Sequence, residues 1–174
     1  KGKVFIELII LAPIIIPSIA VVLGIHSVFI SIGLTNTIFG VIIVHLIPTV
    51  PYMTLVMSAI FPNFDADFEY QARSLGASSL KAFYYITLPA ILPGVIIGGL
   101  FAFLVSWSQY ILTLVIGGGK ILTLPLLLFS FATSGRNDIT GAIGIIYILP
   151  GIIILIFTTK YLSRRNVIGV FERI

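Results

Sequence analysis

Four apolar runs dominate this chain, and each exceeds the roughly twenty residues that a helix needs to cross the hydrocarbon core of a bilayer. They cover residues 4–30, 38–61, 91–116 and 139–162. Charged residues make up 9% of the chain, whereas soluble domains contain about 25%. Because so little polar surface is available to face water, we predict an all-α, polytopic membrane protein built as a bundle of four spans.

A polar insert, residues 62–90, separates the second and third runs and is predicted to lie outside the lipid. Its first half has the spacing of an amphipathic helix, with apolar residues at i, i+4, i+8 and i+11. These residues are Phe64, Phe68, Ala72 and Leu75. Gly76 follows where a helix commonly ends in a residue of positive φ, a conformation that glycine adopts without steric cost.

The second half of the insert predicts another short helix. Ser78 or Ser79 can cap its N-terminus. One side of it carries Leu80, Phe83, Tyr84 and Thr87. Pro89 is expected to end this helix, because the residue before a proline disfavours the α conformation. Two short helices joined at a glycine and exposed at a membrane surface indicate a docking element for a soluble partner.

The distribution of basic residues predicts the orientation of the spans, since cytoplasmic loops carry an excess of lysine and arginine. With the insert on the cytoplasmic side, eight basic residues lie inside, namely Lys1, Lys3, Arg73, Lys81, Lys160, Arg164, Arg165 and Arg173. Two, Lys120 and Arg136, lie outside. We therefore predict that the insert and both ends of the chain are cytoplasmic, while a tight turn at 33–37 and a longer loop at 117–138 face outward.

Few polar side chains interrupt the apolar runs, and such groups usually face the interior of a bundle or a cavity. His26 and His45 lie in the first and second runs, where each either bonds a neighbouring helix or lines a pathway. In the third run, Trp107 and Tyr110 either line a pathway or belong to the belt of aromatic residues at the membrane interface. The amide of Gln109 needs polar partners. The candidates for a pathway or gate are His45, Ser106, Trp107, Gln109 and Tyr110.

The sequence contains no motif for enzymatic chemistry. Neither a phosphate-binding loop ending in Gly-Lys-Ser/Thr nor a zinc-protease or serine-hydrolase motif occurs. The glycine run at 117–120 is predicted to be a flexible turn. Two interpretations exist for the carboxylates of Asp65, Asp67 and Glu69. We favour a role in complementing the dipole of a helix N-terminus over a role as ligands of an exposed metal site. We predict no catalytic residue, no metal site and no cofactor bound by this chain.

Around Gly76 the sequence resembles the permease subunits of binding-protein-dependent ABC importers. Their cytoplasmic loop carries the "EAA" motif, approximately E-A-A-x-x-x-G followed by I-x-L-P. Gly76 matches the glycine, the segment at 86–89 matches I-x-L-P, and the segment at 73–78 is most similar to the polyamine, ferric-iron, thiamine and sulfate branches. The positions of E-A-A hold Tyr70, Gln71 and Ala72. Glu69 falls one residue early.

The resemblance extends along nearly the whole chain. Residues 11–17 match the proline-bearing L-x-P-x-x-x-P of the family, residues 106–110 stand at its S-F/W-x-E-F, and residues 123–126 resemble its outer-loop T-L-P. We therefore treat residues 1–174 as one permease domain that contains an ATPase-docking loop at 62–90. Such permeases usually have one or two further N-terminal spans, and we expect these to be missing here.

The resemblance implies a permease of the prokaryotic plasma (inner) membrane. Its expected partners are two cytoplasmic ATPases, which use the ATP, a second permease subunit, an extracytoplasmic solute-binding protein and the lipid bilayer, with no nucleic acid. The insert would dock in a groove of an ATPase, and closure of the ATPases would drive alternating access. The implied docking residues are Phe68, Glu69, Ala72, Leu75, Gly76, Ala77, Leu80 and Pro89.

Two other functions compete with the importer at this stage. A membrane-embedded enzyme requires ionisable groups that converge at one depth, and the runs offer two isolated histidines. A non-transporting assembly subunit would use the insert only to anchor a cytoplasmic partner. The polar segment in the third run and the prolines within the spans favour a pathway over such an anchor.

The orientation can be tested with single cysteines, because the chain has none of its own. Ser78→Cys in the insert and Ser134→Cys in the outer loop are expected to react from opposite sides of sealed, right-side-out vesicles. An impermeant maleimide added outside should label Ser134→Cys alone. Labelling of Ser78→Cys from outside would invert the topology.

Overall fold

The computed structural model describes residues 2–164, and every regular element in this part is helical. The helices are α1 (Gly2–Ile15), α2 (Ser18–Ser31), α3 (Ile38–Ile60), α4 (Asp67–Ser74), α5 (Ser79–Ala82), α6 (Leu88–Trp107), α7 (Ile111–Gly117), α8 (Leu124–Thr133) and α9 (Asn137–Arg164). A 3₁₀ turn (Phe61–Asn63) follows α3, and a π-helical segment (Phe83–Thr87) joins α5 to α6. Lys1, Arg165 and Arg173, which contribute to the predicted orientation, lie outside the described residues.

Three helical stretches are long and apolar enough to cross a membrane, namely Ile38–Asn63, Ser79–Trp107 and Asn137–Ser163. They confirm the predicted all-α membrane bundle. A fourth span is present only if the pair Val4–Ile15 and Ser18–Ser31, which is bent by 110°, is counted as one. A proline of this run interrupts the helix, as the sequence indicates. Pro17 has no N–H to donate to the carbonyl of Pro13, so the helix breaks between them.

The third span differs from its predicted limits at both ends. Its helix begins at Ser79 inside the polar insert and runs without interruption to Trp107, so the expectation that Pro89 ends the second short helix was wrong. The π-helical segment just before it explains the continuity, since the N–H of Leu88 bonds the carbonyl of Phe83, five residues back. This wider turn moves the preceding carbonyls out of α-helical register and relieves their clash with the proline ring.

Beyond α6 the chain breaks at residues 108–110, where sequence analysis had placed a polar and aromatic interruption. The outer segment at 117–138 was predicted as a loop, but it contains α8, which starts with Pro125 in its first turn. The tight turn at 33–37 is confirmed. Asn36 has a φ of 61° there, and its N–H bonds the carbonyl of Ile116 at 2.7 Å, which ties the turn to the end of α7.

The apolar core lies where α2, α3 and α7 meet. Its buried members are Val22, Phe29, Val41, Val44, Leu112 and Ile116. The short helix α7 supplies two of them although it is too short to span a bilayer. The core therefore holds α7 against the longer helices on the side of the bundle that we predict to face outward.

The largest helix–helix interface of the described chain joins α3 to α6, and glycines make it close. A Cβ added at Gly94 would lie 2.6 Å from Cγ1 of Ile60, and one at Gly98 would overlap the sulfur of Met53. Small residues four positions apart let membrane helices approach closely. The spacing Gly94-x-x-x-Gly98 therefore sets the distance between the two spans.

We expect Gly98→Val to destabilise the protein by about 1–3 kcal/mol, because the added atoms overpack the α3–α6 interface. Thermal unfolding in detergent measures this loss. Gly99→Val is the matched control, since a Cβ at Gly99 meets nothing within 4 Å and both variants place valine at neighbouring positions of one helix. Equal destabilisation by the two would contradict the close approach.

Candidate functional site

The first helix of the insert begins later than predicted. The chain around Phe64 is extended, so that residue does not lie on the face of α4, which starts at Asp67. The side-chain Oδ1 of Asp65 accepts the N–H of Asp67 at 2.9 Å. Asp67 and Glu69 occupy the first turn of α4, where their negative charge complements the helix dipole. The predicted crowding of carboxylates at this N-terminus is confirmed.

The glycine turn between the two short helices is confirmed. Gly76 has a φ of +95°. Its N–H bonds the carbonyl of Arg73, and the N–H of Ala77 bonds the carbonyl of Ala72, each at 3.0 Å. This pair of hydrogen bonds is the Schellman arrangement, which requires a left-handed residue at the position of Gly76. Ser78 then caps α5 by accepting the N–H of Lys81 at 3.4 Å.

Large apolar side chains of the insert are exposed on its surface. Leu75 is 89% exposed, Leu80 70% and Phe68 57%. Ala72 and Ala77 beside them are half-buried. Contiguous apolar surface outside the lipid marks a site of protein–protein contact. Their role in docking an ATPase, like that of Gly76 and Pro89, stays a prediction.

Glu69 differs from the other predicted docking residues because its carboxylate has a partner within the chain. Thr87 donates its hydroxyl to Oε2 of Glu69 at 2.9 Å. Thr87 is 6% exposed and closes the π-helical segment, so the bond joins α4 to the helix that enters the membrane. Sequence analysis had placed Thr87 on the side of a short helix and attached no role to it. No motif in the sequence links two residues eighteen positions apart across a turn.

Within the membrane, His45 of α3 bridges two other helices. Its Nδ1 lies 2.9 Å from Oγ of Ser106 on α6, and its Nε2 lies 2.9 Å from Oγ1 of Thr113 on α7. Thr113 is fully buried, and its hydroxyl also donates to the carbonyl of Gln109 at 3.0 Å. Of the two alternatives for His45, the inter-helix hydrogen bond is therefore present. Thr113 is not among the residues predicted from the sequence, where its one signal is a hydroxyl in an apolar helix.

The other three pathway candidates point to different parts of the bundle. The indole of Trp107 donates to the carbonyl of Tyr147 on α9 at 3.0 Å, and Tyr110 packs against Phe129 of α8 with ring centroids 4.3 Å apart. Gln109 instead lines a cleft of about 270 Å³ between the α1–α2 break, α3 and the end of α6. Other lining residues are Pro13, Pro17, Ser18, Pro48 and Tyr52. Tyr110 borders a different cleft of about 350 Å³ beside α8, so Gln109 is the candidate that lies at the α1–α2 break.

This combination of kinked apolar helices, a polar cluster between them and a two-helix polar insert defines a multi-pass membrane protein. The sequence matches the family model of the binding-protein-dependent transport system inner membrane component over residues 1–167. The chain belongs to this family. The family is one of membrane transport components of the inner membrane and is not an enzyme family.

Curated relatives support the same assignment. The chain is 30% identical over 162 residues to the putrescine transport system permease protein PotI of Escherichia coli (strain K12), covering 88% of this chain and 57% of the relative. It is 25% identical over 150 residues to the spermidine/putrescine transport system permease protein PotC of Haemophilus influenzae, covering 86% and 58%. It is 29% identical over 155 residues to the trehalose transport system permease protein SugB of Mycobacterium tuberculosis, covering 88% and 56%. The chain thus spans little more than half the length of these relatives.

We expect His45→Leu to destabilise the permease by about 1–3 kcal/mol, since it removes two hydrogen bonds between membrane helices. Thermal unfolding in detergent or lipid nanodiscs measures the effect. His26→Leu is the matched control, because the side chain of His26 forms no hydrogen bond within the described residues. Equal effects of the two substitutions would show that the bridge to Ser106 and Thr113 adds nothing.

Proposed function

We propose that this chain is part of the permease subunit of an ATP-driven ABC importer, in which it forms the solute pathway and couples it to cytoplasmic ATPases. The observation that carries the proposal is the continuity of the insert with a span. The helix Ser79–Trp107 has 29 residues, which corresponds to about 43 Å at 1.5 Å per residue. A hydrocarbon core is about 30 Å thick, so the N-terminal end of this helix extends beyond the lipid.

Such a helix carries movement from the insert into the membrane. An ATPase that holds the exposed side chains of Phe68, Leu75 and Leu80 in a groove also holds the end of the long helix. When the ATPases close on ATP, the docked end is displaced, and the attached span moves with it. The spans then expose the pathway alternately to the two sides of the membrane.

The importer requires partners beyond this chain. We propose two cytoplasmic ATPases, a second permease subunit and an extracytoplasmic solute-binding protein, with the insert and both chain ends in the cytoplasm. The helix α9 contributes to the case for further partners. No residue in its most apolar stretch is buried within the chain, so this surface is available to lipid or to another protein. ATP is hydrolysed by the partner subunits.

Gln109 is the residue that we propose to face the pathway. Its side-chain amide forms no hydrogen bond within the described part of the chain, and it lines the cleft at the α1–α2 break. Non-helical backbone at membrane depth is tolerated where it borders protein or a water-filled cavity. The relatives are named for putrescine, spermidine and trehalose transport, so the proposal extends to a small polar solute and not to a particular one.

Reconstitution of the full-length permease with its ATPases and binding protein tests this function. Binding protein loaded with its solute is expected to stimulate ATP hydrolysis and to drive solute into proteoliposomes. An assembly subunit without transport would retain the ATPases but show neither response. That result would overturn the importer in favour of the anchor.

In the same proteoliposomes, Gln109→Leu is expected to lower the transport rate about tenfold, because the pathway loses an amide worth about 1–3 kcal/mol of polar contact. Binding of the ATPases should not change. Ser108→Ala is the matched control, since among the described residues the exposed hydroxyl of Ser108 bonds only the carbonyl of Val105. Unchanged transport by Gln109→Leu would remove this residue from the pathway.

A further inference from the structure

The hydrogen bond between Glu69 and Thr87 joins two parts of the insert whose backbone connection is one short turn at Gly76. Glu69 lies on α4, and Thr87 lies at the end of the π-helical segment that continues into α6. No residue of α4 is buried, so packing alone holds this helix weakly. The link between α4 and α5 passes through Gly76, whose surroundings are open, with nothing within 4 Å of an added Cβ.

We propose that this hydrogen bond acts as a brace that makes α4 and the long helix Ser79–Trp107 move as one body. Glu69 is then a positioning residue for coupling and not a contact of the ATPase. The inference rests on the proposed function, which it deepens by assigning a device that transmits movement. Without the brace, α4 can swing about Gly76 while the membrane helix stays in place.

The chemistry of the pair suits this role. A hydroxyl that donates to a carboxylate makes a stronger hydrogen bond than a neutral pair does, and here the two oxygens lie 2.9 Å apart. Thr87 is 6% exposed, and Glu69 is half-buried, so water competes poorly for the bond. Among the described residues, neither Arg73 nor Lys81 forms an ion pair with Glu69. The hydroxyl of Thr87 is thus the side-chain partner that the structure gives this carboxylate.

The π-helical segment places the threonine. The N–H of Leu88 bonds the carbonyl of Phe83, five residues back. Compared with an α-helix, this turn holds one extra residue, which rotates the side chains that precede α6. Ala82 and Thr87 are buried on the side that faces the rest of the chain, whereas Tyr84 and Tyr85 are exposed. The segment therefore directs one hydroxyl inward at the point where the insert meets the span.

Four variants separate the brace from a docking contact. Thr87→Val keeps the shape and removes the donor, and Thr87→Ser keeps the donor. Glu69→Ala removes the acceptor, and Glu69→Gln keeps an acceptor oxygen without the charge. Each is made in the full-length permease and reconstituted in lipid nanodiscs with its ATPases and solute-binding protein.

The first measurement is amide hydrogen exchange in α4, which needs no transport activity. Thr87→Val and Glu69→Ala are expected to speed exchange there about tenfold, while exchange in α6 stays unchanged. Thr87→Ser should remain near the wild-type rate, and Glu69→Gln, which keeps an acceptor oxygen but loses the charge, should lie between the wild type and Glu69→Ala. Wild-type protection of α4 in Thr87→Val would overturn the brace.

The second measurement is the amount of solute transported per ATP hydrolysed. Thr87→Val and Glu69→Ala should lower this ratio about tenfold with wild-type affinity for the ATPases, and Thr87→Ser should restore it. Loss of ATPase affinity in Glu69→Ala, with an unchanged ratio in Thr87→Val, would make Glu69 a docking contact and overturn the proposal. Absence of transport by the wild-type assembly would instead overturn the proposed function, and amide exchange would still decide whether the brace exists.

Discussion

The need to satisfy every backbone polar group away from water governs this structure. In lipid only a helix meets that need within one segment, and the described chain is accordingly built of helices. Where the helices break, at Pro17 and at residues 108–110, the freed groups lie beside a cleft or beside other helices. At these two breaks, protein or a cavity lies beside the irregular backbone, and in the proposed importer they are places where a solute meets polar atoms.

Polar side chains inside the bundle follow the same constraint, and their bonds connect helices that are far apart in sequence. His45 joins α3 to α6 and α7 through Ser106 and Thr113. Near the cytoplasmic end of the same bundle, by the proposed orientation, Glu69 and Thr87 join the insert to the long helix. In the proposed importer, movement that begins at the insert meets one polar connection where α4 is joined to the long helix and another near the far end of α6. Between them lies the close α3–α6 interface.

Much of the fold could be predicted from the sequence because the decisive signals are local. Apolar runs longer than a bilayer core predict spans, and Gly76 predicts a turn, since each conclusion needs only the residues at hand. The errors arose where neighbouring elements decide the outcome. Pro89 ends an ordinary α-helix but not one preceded by a π turn. The sequence indicates that Pro17 interrupts its helix, but it does not give the size of the bend. The pairings of His45 with Thr113 and of Glu69 with Thr87 depend on tertiary packing, so no spacing rule could reveal them.

The glycine surface of α6 has a mechanical consequence. At Gly98 the contact with α3 is made by Met53, a side chain without branches whose thioether adapts to irregular space. Interlocked branched side chains resist axial sliding, because each must leave its groove before it can enter the next. The thioether at Gly98 offers no such obstacle, whereas at Gly94 the contact is the branched side chain of Ile60. The α3–α6 pair is therefore interlocked at Gly94 and adaptable at Gly98, so small adjustments between these two spans take place around the Gly94 contact.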